Sequence, residues 1–133
     1  MESANRKTIA LDSNVLILAV RERLDVFSLA REKFGNVEFV VPEQVLSELS
    51  LLAKKSAKMA RELNVVKKML ESNNCRAVHV EAENADDALF GLSRGRHALV
   101  FSGDRELGKR IKNDNGAIIY LRRKRLLETF GLE

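Results

Sequence analysis

The chain has 133 residues, 45% hydrophobic and 32% charged, which suits one globular domain over 1–133 and argues against a disordered chain. No apolar run nears the roughly 20 residues of a membrane span, and residues 1–7 lack the apolar stretch of a secretory signal, so no membrane association is expected. Cys75 is the only cysteine, which leaves no intrachain disulfide and no zinc ribbon and makes a cytoplasmic location the natural expectation.

The net charge of +4 is unevenly spread. Residues 1–53 carry 6 basic and 8 acidic side chains, while residues 54–133 carry 17 and 11. The basic second half points to an anionic partner, although each basic run alone also fits a solvated helix face.

In chain order, Lys7–Leu11 reads as a buried strand ending at Asp12, followed by a helix over Ser13–Arg23 and a second over Val26–Phe34 that stops at Gly35. Glu38–Val41 is the next strand. Pro42, the only proline, suits the first turn of the helix that carries Val45, Leu46, Leu49, Leu52 and Ala53. Met59, Leu63, Val66 and Leu70 then mark one face of a longer helix. Arg76–Val80 reads as a strand, a helix opens at Asn84 or Ala85 and stops near Gly95, and His97–Phe101 is the fourth strand. Asp104–Asn113 is a helix, Asn115–Gly116 a turn, and Ala117–Leu121 the last strand. The basic stretch Arg122–Arg125 leads to a short C-terminal helix. The order β-α-α-β-α-α-β-α-β-α-β, with strands that are unbroken apolar runs, implies an α/β fold: a mainly parallel central sheet with helices on both faces.

In such sheets ligands bind beyond the carboxyl ends of the strands. Asp12 closes the first strand, and Asp104 follows the fourth after Ser102-Gly103. Either could equally be a helix N-cap. Glu48 is more than a turn inside its helix, so capping does not account for it; at about 100° per residue it borders the apolar stripe. Asp86 flanks the stripe formed by Ala85, Ala88, Leu89 and Leu92, whereas Asp87 lies nearly opposite, as a solvated or supporting group. Four carboxylates at one strand edge would repel one another unless cations stood among them. Mg²⁺ or Mn²⁺, which prefer oxygen ligands, fit that demand. His79 and His97 fall in the strands and form no ligand motif.

These residues resemble the PIN-domain ribonuclease family. Ile9-Ala-Leu-Asp12-Ser-Asn14 is similar to its first motif and Val41-Pro-Glu-Gln-Val-Leu-Ser-Glu48-Leu49 to its second. Ala85-Asp86-Asp87-Ala-Leu89 is similar to the third, and Val100-Phe-Ser102-Gly-Asp104-Arg-Glu-Leu107 to the fourth. The resemblance spans nearly the whole chain. It implies a metal-dependent endoribonuclease with catalytic, metal-holding acids Asp12, Glu48, Asp86 and Asp104, supported by Asn14, Ser102 and Asp87. Ser102 stands where Thr is usual, and Gly103 where Asn is common in one subfamily. Within the family, Ala85–Leu89 and the ending Gly116–Arg122 look similar to single-domain proteins related to the small-subunit rRNA-processing PIN nuclease. VapC-type toxins, paired with an antitoxin, are the alternative, as is a catalytically weak RNA-binding module of a ribosome-assembly complex. A homodimer is a further possible assembly.

RNA would be held through phosphate contacts, with Arg94, Arg96, Arg105, Lys109, Arg110, Arg122, Arg123, Lys124 and Arg125 as the candidate cations. Aromatic residues make up only 5% of the chain, so stacking platforms for bases are scarce.

Overall fold

The protein is represented by a computed structural model that describes residues 6–122 and 126–131. Its elements are β1 (Lys7–Leu11), α1 (Ser13–Arg21), α2 (Val26–Phe34), β2 (Val37–Pro42), α3 (Glu43–Ala53) and α4 (Ala57–Ser72). Then come β3 (Arg76–Val78), α5 (Ala85–Gly95), β4 (Leu99–Phe101), α6 (Arg105–Asn113), β5 (Ile118–Arg122) and β6 (Leu126–Phe130).

The sheet order is β3-β2-β1-β4-β5-β6. β1 to β5 pair in parallel and β6 runs antiparallel to β5. Ile9 sits in register with Phe39 on one side and Leu99 on the other. Successive strand side chains point to opposite faces, and Ile9, Ala10 and Leu11 are all fully buried, so both faces of the central strand are covered. The unbroken apolar runs of the sequence reflect that double burial.

Helix starts follow local chemistry. Asp12, Asp25, Ser56, Asn84 and Asp104 each accept a backbone N–H at the start of α1, α2, α4, α5 and α6. Gly35, at φ 77°, ends α2 in a conformation costly for a side-chain-bearing residue. Pro42 is not inside the helix it precedes: it is the last residue of β2 and holds the N-cap position of α3 with an extended backbone.

Three further expectations are corrected. The C-terminal segment is the strand β6, not a helix. Its five residues are too few for a helix to persist on its own, and pairing Leu127 with Leu121 and Thr129 with Ile119 satisfies the open edge of β5. Leu127 is buried by that pairing, and Phe130 packs edge-on against Tyr120 at 5.5 Å. His79 lies just beyond β3, exposed, with its two ring nitrogens 3.0 Å from Glu43 and 2.8 Å from Glu81. His97 precedes β4 with φ 53°, which an extended strand cannot contain. Arg123, Lys124 and Arg125 lie outside the described residues.

The core joins the sheet to all six helices, with Leu63, Val66 and Leu70 contributed by α4. Phe27 of α2 meets Phe39 of β2 edge to face at 4.8 Å, and both are buried. Phe27→Ala should therefore lower the unfolding free energy by about 3–5 kcal/mol, read from the urea midpoint. Cys75 is a packing residue: burial pushes its thiol up to about 12. Iodoacetamide at pH 8 should alkylate it slowly in the native protein and rapidly in denaturant; equal rates would contradict that environment.

Candidate active site

The chain moves outward from β1 through β2 to β3, then returns to the other side of β1 as β4. The strand order thus reverses between β1 and β4, the place where open parallel sheets take their ligands. Beyond the carboxyl ends of these two strands stand Asp12 and the segment Ser102–Asp104. The Asp12 N–H donates to the Phe101 carbonyl at 3.1 Å, extending the pairing to the site itself.

Ser102 is fully buried. Its hydroxyl donates to Asp12 Oδ2 at 2.6 Å and accepts the Asp104 backbone N–H at 3.0 Å. Asp12 is only 4% exposed, and its Oδ1 accepts the Ser13 N–H at 2.7 Å. Asn14 accepts the Gly103 N–H at 3.1 Å and brings its amide to 3.5 Å from Asp12 Oδ2, the outer limit of a hydrogen bond. Asp104 Oδ1 caps α6 by accepting from Glu106 and Leu107 N–H. The capping and functional alternatives for Asp12 and Asp104 are therefore not exclusive, because a carboxylate has two oxygens and each cap occupies one.

The other two acids come from the helices that flank this edge. Ser13 Oγ donates to Glu48 Oε1 at 2.5 Å, which ties α3 to the start of α1. Gln44 Nε2 donates to the Val80 and Ala82 carbonyls at 2.7 and 2.8 Å. That clamp holds the approach to α5 against α3. Asn84 caps α5 by accepting the Asp87 N–H at 2.9 Å. Glu48, Asp86, Asp87, Asp104 and Arg110 then line one cleft of about 510 Å³. Asp87 is paired to Arg110 at 2.6 Å, and that guanidinium lies 4.0 Å over the Phe90 ring.

Asp86 and Asp87 are both half-buried and both reach the cleft: Asp87 has a cationic partner in Arg110, while Asp86 stands among the other acids. Burial holds the Asp86 carboxyl above the usual carboxylate range, and the charges of Asp104, Asp12 and Glu48 add to the effect. Asp12 is raised as well, first by burial. The bonds from Ser102 and Ser13 oppose that rise, and Glu48 and Asp104 reinforce it.

Among the described residues no three His, Cys, Asp or Glu side chains stand close enough together to chelate an ion as a preformed cage. The donor set still fits a hard divalent cation. It is all carboxylate oxygen, its members repel one another, and Mg²⁺ commonly keeps most of its waters and takes only one or two protein carboxylates.

The expected RNA cations separate into groups. Arg105, Lys109 and Arg122 line a groove beside Asn14 and Gly103. Arg110 belongs to the acidic cleft. Arg94 pairs with Asp114 at 3.1 Å in a hollow with Ala98, Leu99 and Ala117, at the amino ends of β4 and β5. Arg96, the C-cap of α5, is on that side too, because α5 runs from the acidic edge back to the opposite one. Ser13 and Gln44 were not foreseen as site residues. Ser13 stood inside the first motif without a role, and a glutamine in the first turn of a helix carries no signal of its own.

Two substitutions test this electrostatic arrangement in EDTA. Ser102→Ala strands the buried Asp12 carboxylate and the Asp104 N–H and should cost about 1–3 kcal/mol in urea unfolding. Asp86→Asn removes repulsion and should melt no lower than the wild type. A clear drop for Asp86→Asn would contradict the mutual repulsion.

The sequence pattern of the family described as "PIN like domain" matches residues 9–124. Ribonuclease VapC4 of Methanocaldococcus jannaschii is 24% identical over 127 residues, covering 93% of this chain and 97% of that protein. The structure is similar to that of the PIN domain endonuclease Utp24, with TM-score 0.75 and 15% identity over 94% of this chain and 92% of that one. It is also similar to VapBC2 from Rickettsia felis bound to a promoter DNA fragment, with TM-score 0.61 and 16% identity over 80% of this chain and 94% of that one. The match across 9–124, with the strand order and helix positions above, establishes that the chain belongs to the PIN-like domain family.

Proposed function

We propose that the chain is a divalent-metal-dependent endoribonuclease that hydrolyses RNA phosphodiester bonds. The observation that carries this is the placement of Asp12, Glu48, Asp86 and Asp104. Asp86 feels the charge of the other three, and among the described residues of the cleft a single arginine, Arg110, is paired to Asp87. Such a site invites a cation, and a phosphodiester arriving with that cation completes its coordination. The similarity to Ribonuclease VapC4 along nearly the whole chain supports ribonuclease chemistry.

In this reading Asp86, from α5, and Asp104, at the start of α6, would hold the cation, and Glu48, from α3, would act on it through a water that the ion retains. Asp12 is fixed in one orientation by Ser102 and Ser13, so its charge is already in place when substrate arrives. When bound, Mg²⁺ or Mn²⁺ would supply a water of lowered pKa and would neutralise charge developing on the phosphate. Asp87 keeps Arg110 at the rim of the cleft, where the guanidinium can meet a phosphate oxygen.

A toxin-type role with a protein antitoxin is the second reading, favoured by the likeness to VapC4 and to the VapBC2 complex. A role in rRNA processing is the third, favoured by the resemblance of Ala85–Leu89 and Gly116–Arg122 to single-domain relatives of the small-subunit rRNA-processing PIN nuclease. Tight co-purification with the product of an adjacent reading frame would select the toxin role.

Purified protein incubated with a labelled RNA in Mn²⁺ should cleave it, and EDTA should stop cleavage. Asp104→Asn and Asp86→Asn should each reduce the rate at least 100-fold, roughly the contribution of one charge-stabilising group. Asp87→Asn should be milder, because its nearest partner is Arg110. Cleavage that persists in EDTA, or that survives Asp104→Asn, would refute the proposal.

A further inference from the structure

Glu48 stands on α3 and Asp86 on α5, and their like charges push the two helices apart. Among the described residues no hydrogen bond or ion pair joins α3 to α5 directly. The link runs through residues 79–84, the segment between β3 and α5. Gln44 Nε2 donates to the Val80 carbonyl at 2.7 Å and to the Ala82 carbonyl at 2.8 Å, using both hydrogens of its amide. The Val80 side chain in turn meets α5: a Cβ at Gly91 would stand 3.4 Å from Val80 Cγ1. Shortly beyond Ala82, Asn84 caps α5, and Asp86 follows in its first turn.

Gln44 precedes Glu48 by one helical turn, so both project from the same face of α3. Among the described helices only α3 starts without a side-chain cap, and its first-turn side chains, Glu43 and Gln44, are bonded instead to residues 79–82. Gln44 Oε1 is buried and accepts no hydrogen bond. Rotating the amide would point that oxygen at two carbonyl oxygens, so its orientation is fixed. Packing alone does not account for an amide here, because an apolar side chain of equal length would fill the space without a buried, unpaired acceptor. The exposed His79 bridges Glu43 and Glu81 over the same segment, but surface contacts of that kind contribute little.

We infer that Gln44 is a positioning residue for cleavage: it fastens the entry of α5 to the first turn of α3 and so fixes how far Asp86 stands from Glu48 across the cleft. The inference rests on the endoribonuclease reading and adds to it a residue that touches neither ion nor substrate. Gln44 does not line the cleft and acts through the short run from Ala82 to Asp86. An ion that takes a ligand from α5 and is served through water by α3 tolerates little change in that spacing, because Mg²⁺ demands near-ideal octahedral geometry.

The test compares three variants. Gln44→Met keeps the length of the side chain and removes both donors, Gln44→Glu sets a carboxylate against the two carbonyls, and His79→Ala removes only the exposed contacts. In EDTA, the Asp87 and Ala88 amides, bonded to Asn84 in the first turn of α5, should exchange hydrogen about tenfold faster in Gln44→Met. The amides of Ala10 and Leu11 should keep wild-type rates, which shows the sheet intact. Mn²⁺ affinity, read from the electron paramagnetic resonance signal of the free ion, should fall about tenfold. At saturating Mn²⁺, kcat should fall about tenfold or more with KM for RNA unchanged, since a misplacement of about 1 Å can cost on the order of 100-fold. Gln44→Glu should lose at least as much, and His79→Ala should stay within about twofold of the wild type throughout. If Gln44→Met melts below the assay temperature, Gln44→Asn, one methylene too short for the carbonyls, replaces it. A wild type that does not cleave RNA in Mn²⁺ refutes the endoribonuclease reading, and the exchange rates then decide the clamp by themselves. Cleavage by the wild type with kcat and Mn²⁺ affinity unchanged in Gln44→Met, with a loss confined to KM, or with equal losses in His79→Ala overturns the positioning role alone.

Discussion

The arrangement of the site depends on one buried hydroxyl. Ser102 Oγ, with no exposure to solvent, joins the Asp12 carboxylate just beyond β1 to the backbone N–H of Asp104 beyond β4. Its two bonds bridge the strands at the point where the sheet reverses its order, so the two acids are fixed relative to each other by the sheet and not by flexible loops. A carboxylate as buried as Asp12 needs donors, and it has them in Ser102, Ser13 and, more distantly, Asn14. Asn14 in turn secures Gly103, and Ser13 reaches across to Glu48. Displacing any one of these groups moves the others.

The charges impose the opposite tendency. Asp86 is held above its ordinary titration range by burial and by three neighbouring carboxylates, and among the described residues only Asp87 of the cleft acids is paired to a cation. The fold tolerates this repulsion because capping and side-chain bonds place the acids locally: Asn84 starts α5, Asp104 starts α6, and Gln44 fastens the approach to α5 onto α3. An arrangement stable against its own electrostatics, but unsatisfied in charge, is suited to bind a cation and an anion together. The groove along α6 sets Arg105 and Lys109 beside that centre, over the apolar residues Val15, Leu18 and Leu121.

Much of this was legible in the sequence. Unbroken apolar runs ending at Asp12 and near Asp104 located the strand edge, because a doubly covered parallel sheet requires such runs and places ligands beyond them. Glu48 stood out because neither capping nor the helix dipole accounts for an acid in mid-helix. The last strand was not legible. Leu126–Phe130 alternates too weakly to show period two, and its strand form depends on the open edge of β5, which no local pattern reveals. The site's supporting bonds were hidden for a similar reason. Gln44 acts on residues 36 and 38 positions away, and Arg110 on one 23 positions away, so only the folded chain shows that they meet. Arg94 and Arg96 were candidate RNA cations by charge alone, and the length of α5 carries them to the side of the sheet where β4 and β5 begin.

The central claim is that the four carboxylates form one centre for a divalent cation. The most direct measurement is the anomalous scattering of a crystal soaked in Mn²⁺. The account predicts a strong peak in the cleft between α3, α5 and the start of α6, bordered by Glu48, Asp86 and Asp104 with Asp12 behind them. A saturating soak that leaves this cleft without a peak, or places the ion only elsewhere on the molecule, would contradict it.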